Sequence, residues 1–311
     1  MVATYPEGFM RIVFNPTAGG ARRPALERAL AALRGAGLHP ELLATEAPGH
    51  AEVLARAARP GEIVVAAGGD GTIAEVAAGI AGSGAVLGIL PLGTANVLAR
   101  EVGLPLDPVA AAAALAAGPE VRLHAGLARG ASGTRLFVQM VGAGFDAAVV
   151  HALPLTLKRR LGRGAYVLQS LRETIRHRFA PIRVQADDDP PFEAASAIVT
   201  KGRLYAGPFT VAPGADPARP GFTLVTFDHG GAPAALLAGA ALPLGLIPRL
   251  PGVRLRRVAR VTLDGEGVPA QADGDAAGFL PLTITALPAP IPLRLGFGAR
   301  GTLAAPARVP A

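Results

Sequence analysis

The chain of 311 residues contains no cysteine and no tryptophan. Without cysteine there are no disulfides, no thiolate nucleophile and no Cys-ligated zinc. Aromatic residues make up only 5% of the chain, so the core has to be built from Ala, Val, Leu and Ile. The six histidines show no i, i+4 pair and no ligand spacing, which argues against a His-rich metal site. Lysine is nearly absent too: Lys158 and Lys201 are the only two, and arginine supplies the rest of the basic charge. Residues 1–10 (MVATYPEGFM) carry neither a basic start nor an apolar run, so no signal peptide is expected and a cytoplasmic location is.

What is present is a half-apolar chain with net charge +7 and a pI near 10.8. Its length suits two domains. The positive field favours anionic partners such as nucleotides or an anionic lipid surface. With few aromatics for stacking and no nucleic-acid module, nucleic acid is not expected as a partner. Residues 230–248 hold no charge over 19 positions, close to a membrane span, but the run contains four Gly and three Pro and breaks at Pro243. A buried or membrane-facing helix is the expectation there.

The first third alternates short apolar strands with amphipathic helices. Strands are expected at Arg11–Asn15, Pro40–Ala44, Glu62–Ala67 and Val86–Leu90. Helices are expected at Arg22–Arg34, Gly49–Ala58, Thr72–Ile80 and Thr94–Val102. Short loops between them predict a parallel α/β sheet with right-handed crossovers. Asp107 followed by Pro108 opens an Ala-rich helix to Ala117. From about residue 120 strands dominate, including Val121–Leu127, Arg135–Val141 and Leu293–Phe297, with helical stretches near 146–177 and 232–246. A β-rich second domain over 121–298 is therefore expected after an α/β domain over 1–120.

Three glycine-bearing turns follow strands of the first domain, where an open α/β sheet binds ligands. Gly68-Gly69-Asp70-Gly71-Thr72 leads into a helix whose free amides and dipole favour phosphate. Its glycines permit positive φ and close backbone approach. Asp70 in a phosphate loop is suited to Mg²⁺, or it is a turn-former. Thr72 and Glu75 fit a T-x-x-E capping box. The other two turns are Asn15-Pro16-Thr17-Ala18-Gly19-Gly20 and Leu90-Pro91-Leu92-Gly93-Thr94-Ala95-Asn96.

Asn15–Gly19 (NPTAG), Gly68–Val76 (GGDGTIAEV) and Leu90–Ala99 (LPLGTANVLA), in this order and spacing, resemble the diacylglycerol-kinase catalytic domain family, which includes bacterial lipid kinases and sphingosine kinases. The resemblance continues through Gly142–Asp146 (GAGFD), Val211–Ala215 (VAPGA) and Asp273-Gly274-Asp275. It implies an α/β ATP-binding domain and a β-sandwich lipid domain, with the tail, 299–311, returning to the first. It implies an ATP- and Mg²⁺-dependent lipid kinase, peripheral at the inner face of the membrane, with diacylglycerol or a related lipid alcohol as acceptor. By carry-over, Asn15, Thr17, Thr45, Gly69, Asp70, Gly71, Thr72, Ile73, Ala74, Glu75, Gly93 and Thr94 lie near the nucleotide.

The family's base is the Glu of an Asp-Gly-Glu turn, where this chain has Asp275, one methylene shorter; Asp70 with metal is the other candidate for catalysis. Relatives also read Asp-Gly-Leu at a second-domain Mg²⁺ site, where this chain has Pro220-Gly221-Phe222 and leaves Asp216 as the remaining ligand candidate. Membrane contact is expected from Lys158, Arg159, Arg160 and Arg163, from Arg172, Arg176, His177 and Arg178, and from Arg254, Arg256, Arg257 and Arg260. Homo-oligomerisation is left open. An NAD kinase shares the Gly-Gly-Asp-Gly-Thr turn, but the Leu-Pro-x-Gly-Thr-x-Asn form and the lack of Asn-x-Gly-x-Leu-Gly-Phe-Leu favour the lipid kinase. A catalytically impaired, nucleotide-dependent membrane-binding protein is the other alternative.

Overall fold

The computed structural model describes residues 8–17, 23–154 and 163–295, which fall into two compact units. The first holds residues up to Leu123 together with the chain from Ala289 on; the second holds His124–Pro288.

In the first unit four parallel strands lie side by side: β1 (Phe9–Phe14), β2 (His39–Ala44), β3 (Ile63–Gly68) and β4 (Val86–Pro91), in the order β2-β1-β3-β4. Helices α1 (Arg23–Gly35), α2 (His50–Ala55), α3 (Asp70–Ile80), α4 (Val97–Glu101) and α5 (Pro108–Ala117) connect or follow them. α1 packs on α5, and α2 on α3. Leu26, Leu30 and Leu33 of α1 join Met10, Ile12, Val65, Leu90, Ala111 and Leu115 in one buried cluster. Every residue of β4 and all but the first of β3 are buried, as expected for strands covered on both faces. Asp107 caps α5 as anticipated, its carboxylate accepting the Val109 and Ala110 amides at 3.1 and 2.9 Å.

The sheet continues through strand Ile291–Arg294, parallel to β4, and ends on Glu120–Leu123, antiparallel to it. Ile291 and Leu293 are the buried residues of that alternating strand. The chain thus re-enters the first sheet at 291, ahead of the expected tail; residues 299–311 lie outside the described residues.

The second unit is a β-sandwich. One six-stranded sheet runs, in spatial order, Phe192–Ala194, Ile182–Ala186, Arg260–Asp264, Leu282–Ala286, Gly126–Gly130 and Gly133–Phe137. The other runs Val253–Val258, Phe222–Phe227, Ser196–Thr200, Met140–Ala143, Pro269–Ala272 and Asp275–Phe279. Val184, Val261, Leu263 and Ile284 of the first share a core with Val141, Val199, Leu224 and Ala270 of the second. Strand Phe222–Phe227 is buried on both faces: Leu224 faces that core, and Val225 faces a second cluster with Ala241 and Ile247.

Two expected strands prove to be four. Val121–Leu127 divides between the two units. Arg135–Val141 divides between the two sheets of the sandwich, because the backbone at Val138, Gln139 and Met140 turns to donate to the Asp273 carboxylate at 2.8, 2.9 and 2.9 Å. The stretch near 146–177 contains two described helices, Phe145–Ala152 and Arg163–Arg176. No helix among the described residues is long and apolar enough to cross a membrane, and residues 232–246 form a helix (Ala232–Ala241) followed by a short 3₁₀ turn.

Candidate active site

The parallel ladder carries the loops of the first unit into one row. Beyond the strand ends, the Asn15 amide donates to the Ala67 carbonyl (3.2 Å) and the Thr45 amide to the Phe14 carbonyl (2.8 Å). The Leu92 and Gly93 amides donate to the Gly68 carbonyl at 2.9 and 3.0 Å. All three glycine turns therefore start from a shared edge, the carboxyl end of the sheet.

The second and third turns are fused. A Cβ placed on Gly93 would sit 2.4 Å from the Gly69 Cα, and one on Gly69 would sit 3.3 Å from the Gly93 Cα. These loops touch backbone to backbone, which glycine alone permits. Gly68 is likewise roofed by Thr72, whose Oγ1 would lie 2.4 Å from an added Cβ. None of these glycines uses the left-handed region: Gly69 has φ −96°, and Gly68 and Gly93 also lie outside it. Closeness of approach, not positive φ, is what they supply.

Asp70 locks the pair. Its Oδ1 accepts the Val97 amide at 2.6 Å and the Leu98 amide at 3.3 Å, capping α4 from the first turn of α3. Asn96 precedes α4 in the left-handed conformation, φ 48°, and donates from Nδ2 to the Gly93 carbonyl at 3.0 Å. Burial pushes the Asp70 carboxyl above the ordinary carboxylate range, opposed by the amides of Leu98 and Val97. Asp70 thereby joins the N-termini of two helices into one platform.

Asn15 and Thr17 close the near side. The Asn15 Oδ1 accepts both the amide and the hydroxyl of Thr17 at 2.9 Å, while its Nδ2 reaches the Thr72 hydroxyl at 3.5 Å. Thr17 and Thr94 are exposed, whereas Thr72, Ile73 and Ala74 are buried. The side chains of Ile73 and Ala74 thus belong to the packing of α3.

The T-x-x-E capping box does not form. α3 begins at Asp70, two residues before Thr72, with Gly69 as its N-cap. Glu75 reaches the neighbouring helix instead: its carboxylate accepts the Gly49 and Ala51 amides at 2.9 and 3.2 Å and caps α2. Gly49, the N-cap of α2, has no side chain to do so.

In the second unit Asp273 and Gly274, with φ 51° and 84°, form the two-residue turn of a hairpin in which Ala272 pairs with Asp275. The Gly274 amide donates to Gln271 Oε1 at 2.9 Å, and Gln271 Nε2 donates to Asp146 Oδ2 at 3.1 Å. Asp275 stands just past this braced turn, half-exposed, with the Arg135 guanidinium 3.3 Å from its carboxylate.

The matches with known proteins follow the same division. The model of the Diacylglycerol kinase catalytic domain matches residues 10–128, and that of the YegS C-terminal NAD kinase beta sandwich-like domain matches residues 139–294. A protein of Mycobacterium tuberculosis (strain H37Rv) named Diacylglycerol kinase is 31% identical over 290 residues, covering 91% of this chain and 93% of its own. The chain belongs to the diacylglycerol kinase catalytic domain family.

A protein of Chromohalobacter salexigens named Probable lipid kinase YegS-like is 36% identical over 157 residues, a match that spans about half of either chain (49%). A crystal structure from Bacillus anthracis str. Sterne superposes with a TM-score of 0.76 at 19% identity, covering 96% of this chain and 98% of that one, and so shares its fold.

For the family's second-domain Mg²⁺ the residues present do not fit. Asp216 Oδ1 accepts the Ala218 amide at 2.9 Å, and its Oδ2 lies 3.2 Å from the Arg219 guanidinium. The oxygens of this loop already hold a cation. Lys201 is fully buried and donates from Nζ to the carbonyls of Arg219 (2.7 Å) and Gly221 (2.5 Å), with the Phe222 ring centroid 5.2 Å away. Burial, then the nearby Arg257 charge, bring its pKa down to about 8, and Asp216 opposes the shift. Among the described residues no cluster of three His, Asp or Glu offers a metal site elsewhere.

Sequence reasoning missed Lys201, Arg135 and the Asp146–Gln271 pair as functional candidates. The one available signal was compositional for Lys201: a second lysine in a chain that otherwise uses arginine.

Proposed function

We propose that this protein is an ATP-dependent lipid kinase that transfers the γ-phosphoryl group of ATP to the hydroxyl of diacylglycerol or a related lipid alcohol. The observation that carries this reading is the fusion of the Gly69 and Gly93 loops under the Asp70 clamp. It presents the first-turn amides of α3, which have no intrahelical acceptors, at the sheet edge where phosphates bind. Asn15, Thr17, Thr45 and Thr94 surround that platform as nucleotide contacts, with Gly69, Asp70, Gly71 and Thr72 forming its floor and Glu75 holding α2 beside it.

Phosphoryl transfer is mostly positioning and charge neutralisation. Asp70 would be the protein partner of a Mg²⁺ bound with the ATP phosphates, and that ion would supply the neutralisation. The acceptor hydroxyl oxygen forms a bond to Pγ as the bridging bond to the β-phosphate breaks and ADP leaves. Asp275 accepts the hydroxyl proton. The braced turn and Arg135 support that role: they fix where the shorter Asp carboxylate stands.

The test is transfer of labelled phosphate from ATP to a panel of lipids in mixed micelles with Mg²⁺. A labelled lipid names the acceptor, and Asp275→Asn then lowers turnover by about 10²–10⁴-fold with an unchanged melting temperature. ATP binding without transfer to any lipid would overturn the kinase reading in favour of a nucleotide-dependent membrane-binding protein.

A further inference from the structure

Helix Arg163–Arg176 is inside out. Its inward side carries Ala165, Gln169 and Thr174, all buried. The two polar residues are satisfied within the helix, Gln169 Nε2 on Glu173 Oε1 at 3.0 Å and Thr174 Oγ1 on the Ser170 carbonyl at 2.8 Å. The large apolar residues point to solvent instead: Val167 is 63% exposed, Leu171 52% and Ile175 86%. A spacing of four residues places them on one stripe. A soluble helix normally shows the reverse.

Helix Ala232–Ala241 packs beside it in the same unit and has no charged residue. There Leu236 and Leu237 are half-exposed, and Leu244 in the following turn is 70% exposed. Of the ten large apolar side chains exposed among the described residues, seven lie on these two neighbouring segments, so this is a patch and not scatter.

The charge around the patch selects its occupant. Arg172 and Arg176 are exposed and, one residue on from Leu171 and Ile175, flank the apolar stripe, and Arg178 follows. The lone acid of the helix, Glu173, is half-buried and bonded to Gln169. The other basic cluster is already engaged: Arg254 pairs with Asp228 and stacks on Phe192, Arg256 pairs with Asp189, and Arg257 donates to the Pro220 carbonyl. Lys158, Arg159 and Arg160 lie outside the described residues.

We propose that the paired helices 163–176 and 232–244 are the membrane-docking face of this protein, with Leu171, Ile175, Leu236 and Leu237 entering the headgroup–acyl boundary of an anionic bilayer and Arg172 and Arg176 on its phosphates. Apolar faces flanked by Arg bind such interfaces by buried area plus charge attraction. The inference rests on the lipid-kinase reading for its choice of a bilayer over a protein partner.

The test compares the full chain with Leu171→Glu/Ile175→Glu and, on the second helix, Leu236→Glu. All three positions are exposed, and unchanged melting temperatures confirm that the variants fold. Co-sedimentation with phosphatidylcholine vesicles containing phosphatidylglycerol is expected to weaken by about tenfold or more for both variants. Turnover of diacylglycerol in those vesicles falls with it, while turnover of a short-chain, monomeric diacylglycerol stays. Vesicle binding equal to the parent's in both variants overturns the docking face while leaving the kinase reading intact. Weakened binding in a protein that phosphorylates no lipid does the reverse. A parent dimer that both variants convert to monomer, with vesicle binding unchanged, identifies the patch as a contact between copies and also overturns the inference.

Discussion

Replacing Asp146 by Asn is expected to stabilise this protein at neutral pH and to leave its stability unchanged in acid. Asp146 opens helix Phe145–Ala152 as a part-buried residue whose Oδ1 is closed off from solvent. Gly142 leaves it room, since a Cβ there would lie 2.2 Å from Oδ2. One oxygen accepts from Gln271; the other has no partner among the described residues. Burial therefore dominates and raises the pKa from 3.8 to about 6, against the opposing bonds from Gln271 and the Ala147 amide.

The native state thus holds a proton that the unfolded chain releases. For an acid with a raised folded pKa, the associated stability is present below the unfolded value of 3.8 and is lost as pH rises through about 6. The loss is 2.303RT times 6 − 3.8, about 3 kcal/mol at most. An amide does not titrate, and its oxygen still accepts from Gln271. At pH 8 the Asp146→Asn variant should then exceed the parent by up to about 3 kcal/mol, with the gap closing toward pH 4. Urea unfolding of both proteins between pH 4 and 8 measures it. A difference that does not vary with pH, or a variant less stable at pH 8, would refute the assignment of a costly buried charge. Tyr205 offers a second readout: burial and then the Asp146 charge raise its hydroxyl pKa, so the substitution should lower it in an ultraviolet titration.

Lys201→Met leaves the Arg219 and Gly221 carbonyls without their donor and should cost about 2–4 kcal/mol in urea unfolding. For the same reason a chelator added without nucleotide should leave the parent's melting temperature unchanged. Glu75→Ala removes the carboxylate that caps α2 and should lower stability by about 1–2 kcal/mol, with Glu75→Gln recovering part of it. Gly93→Ala drives a methyl into the Gly69 backbone and should weaken ATP binding in equilibrium dialysis while costing about 1–3 kcal/mol of stability, since backbone cannot yield as a side chain can.

The α/β half was legible because its signals are local. The run Ile63–Gly68 is apolar throughout since both faces are covered, and Asp107-Pro108 announces its helix within two residues. In the sandwich Ile182–Ala186 and Leu282–Ala286 were legible as strands, but the ends of others were not, because their causes are remote. Between Arg135 and Val141 only Gln139 departs from an apolar run; the break is imposed by Asp273, more than 130 residues away. Glu75 misled for a related reason. T-x-x-E is a valid box in isolation, but Gly49 leaves the amides of α2 uncapped, and the carboxylate is nearer to them than to the start of its own helix. Helix Arg163–Arg176 inverts the usual inference altogether, for its apolar stripe marks the outer face.

The glycine turns carry the sharper lesson about the site. Three glycines in four residues suggest a loop that needs positive φ, yet Gly68 and Gly69 do without it. Their φ values would accept an alanine; at Gly68 the Thr72 side chain would have to move aside for it, and at Gly69 the Gly93 backbone would have to yield by a few tenths of an ångström. Gly69 is matched to Gly93, 24 positions later, and Asp70 to the amides of Val97 and Leu98. The two motifs are therefore one device, each incomplete without the other. This gives a physical reason for their joint appearance, and it separates the parts. Gly93 is required for the loops to meet, Asp70 for them to stay joined, and the exposed Thr17 for neither. Substituting Asp70 should consequently disturb α4 as well as phosphate binding, whereas Thr17→Ala should change nucleotide affinity with the melting temperature unaltered. A Thr17→Ala variant that melted as early as Asp70→Ala would show that the first turn also holds the loops together, and the platform shared by the second and third turns would no longer explain the site.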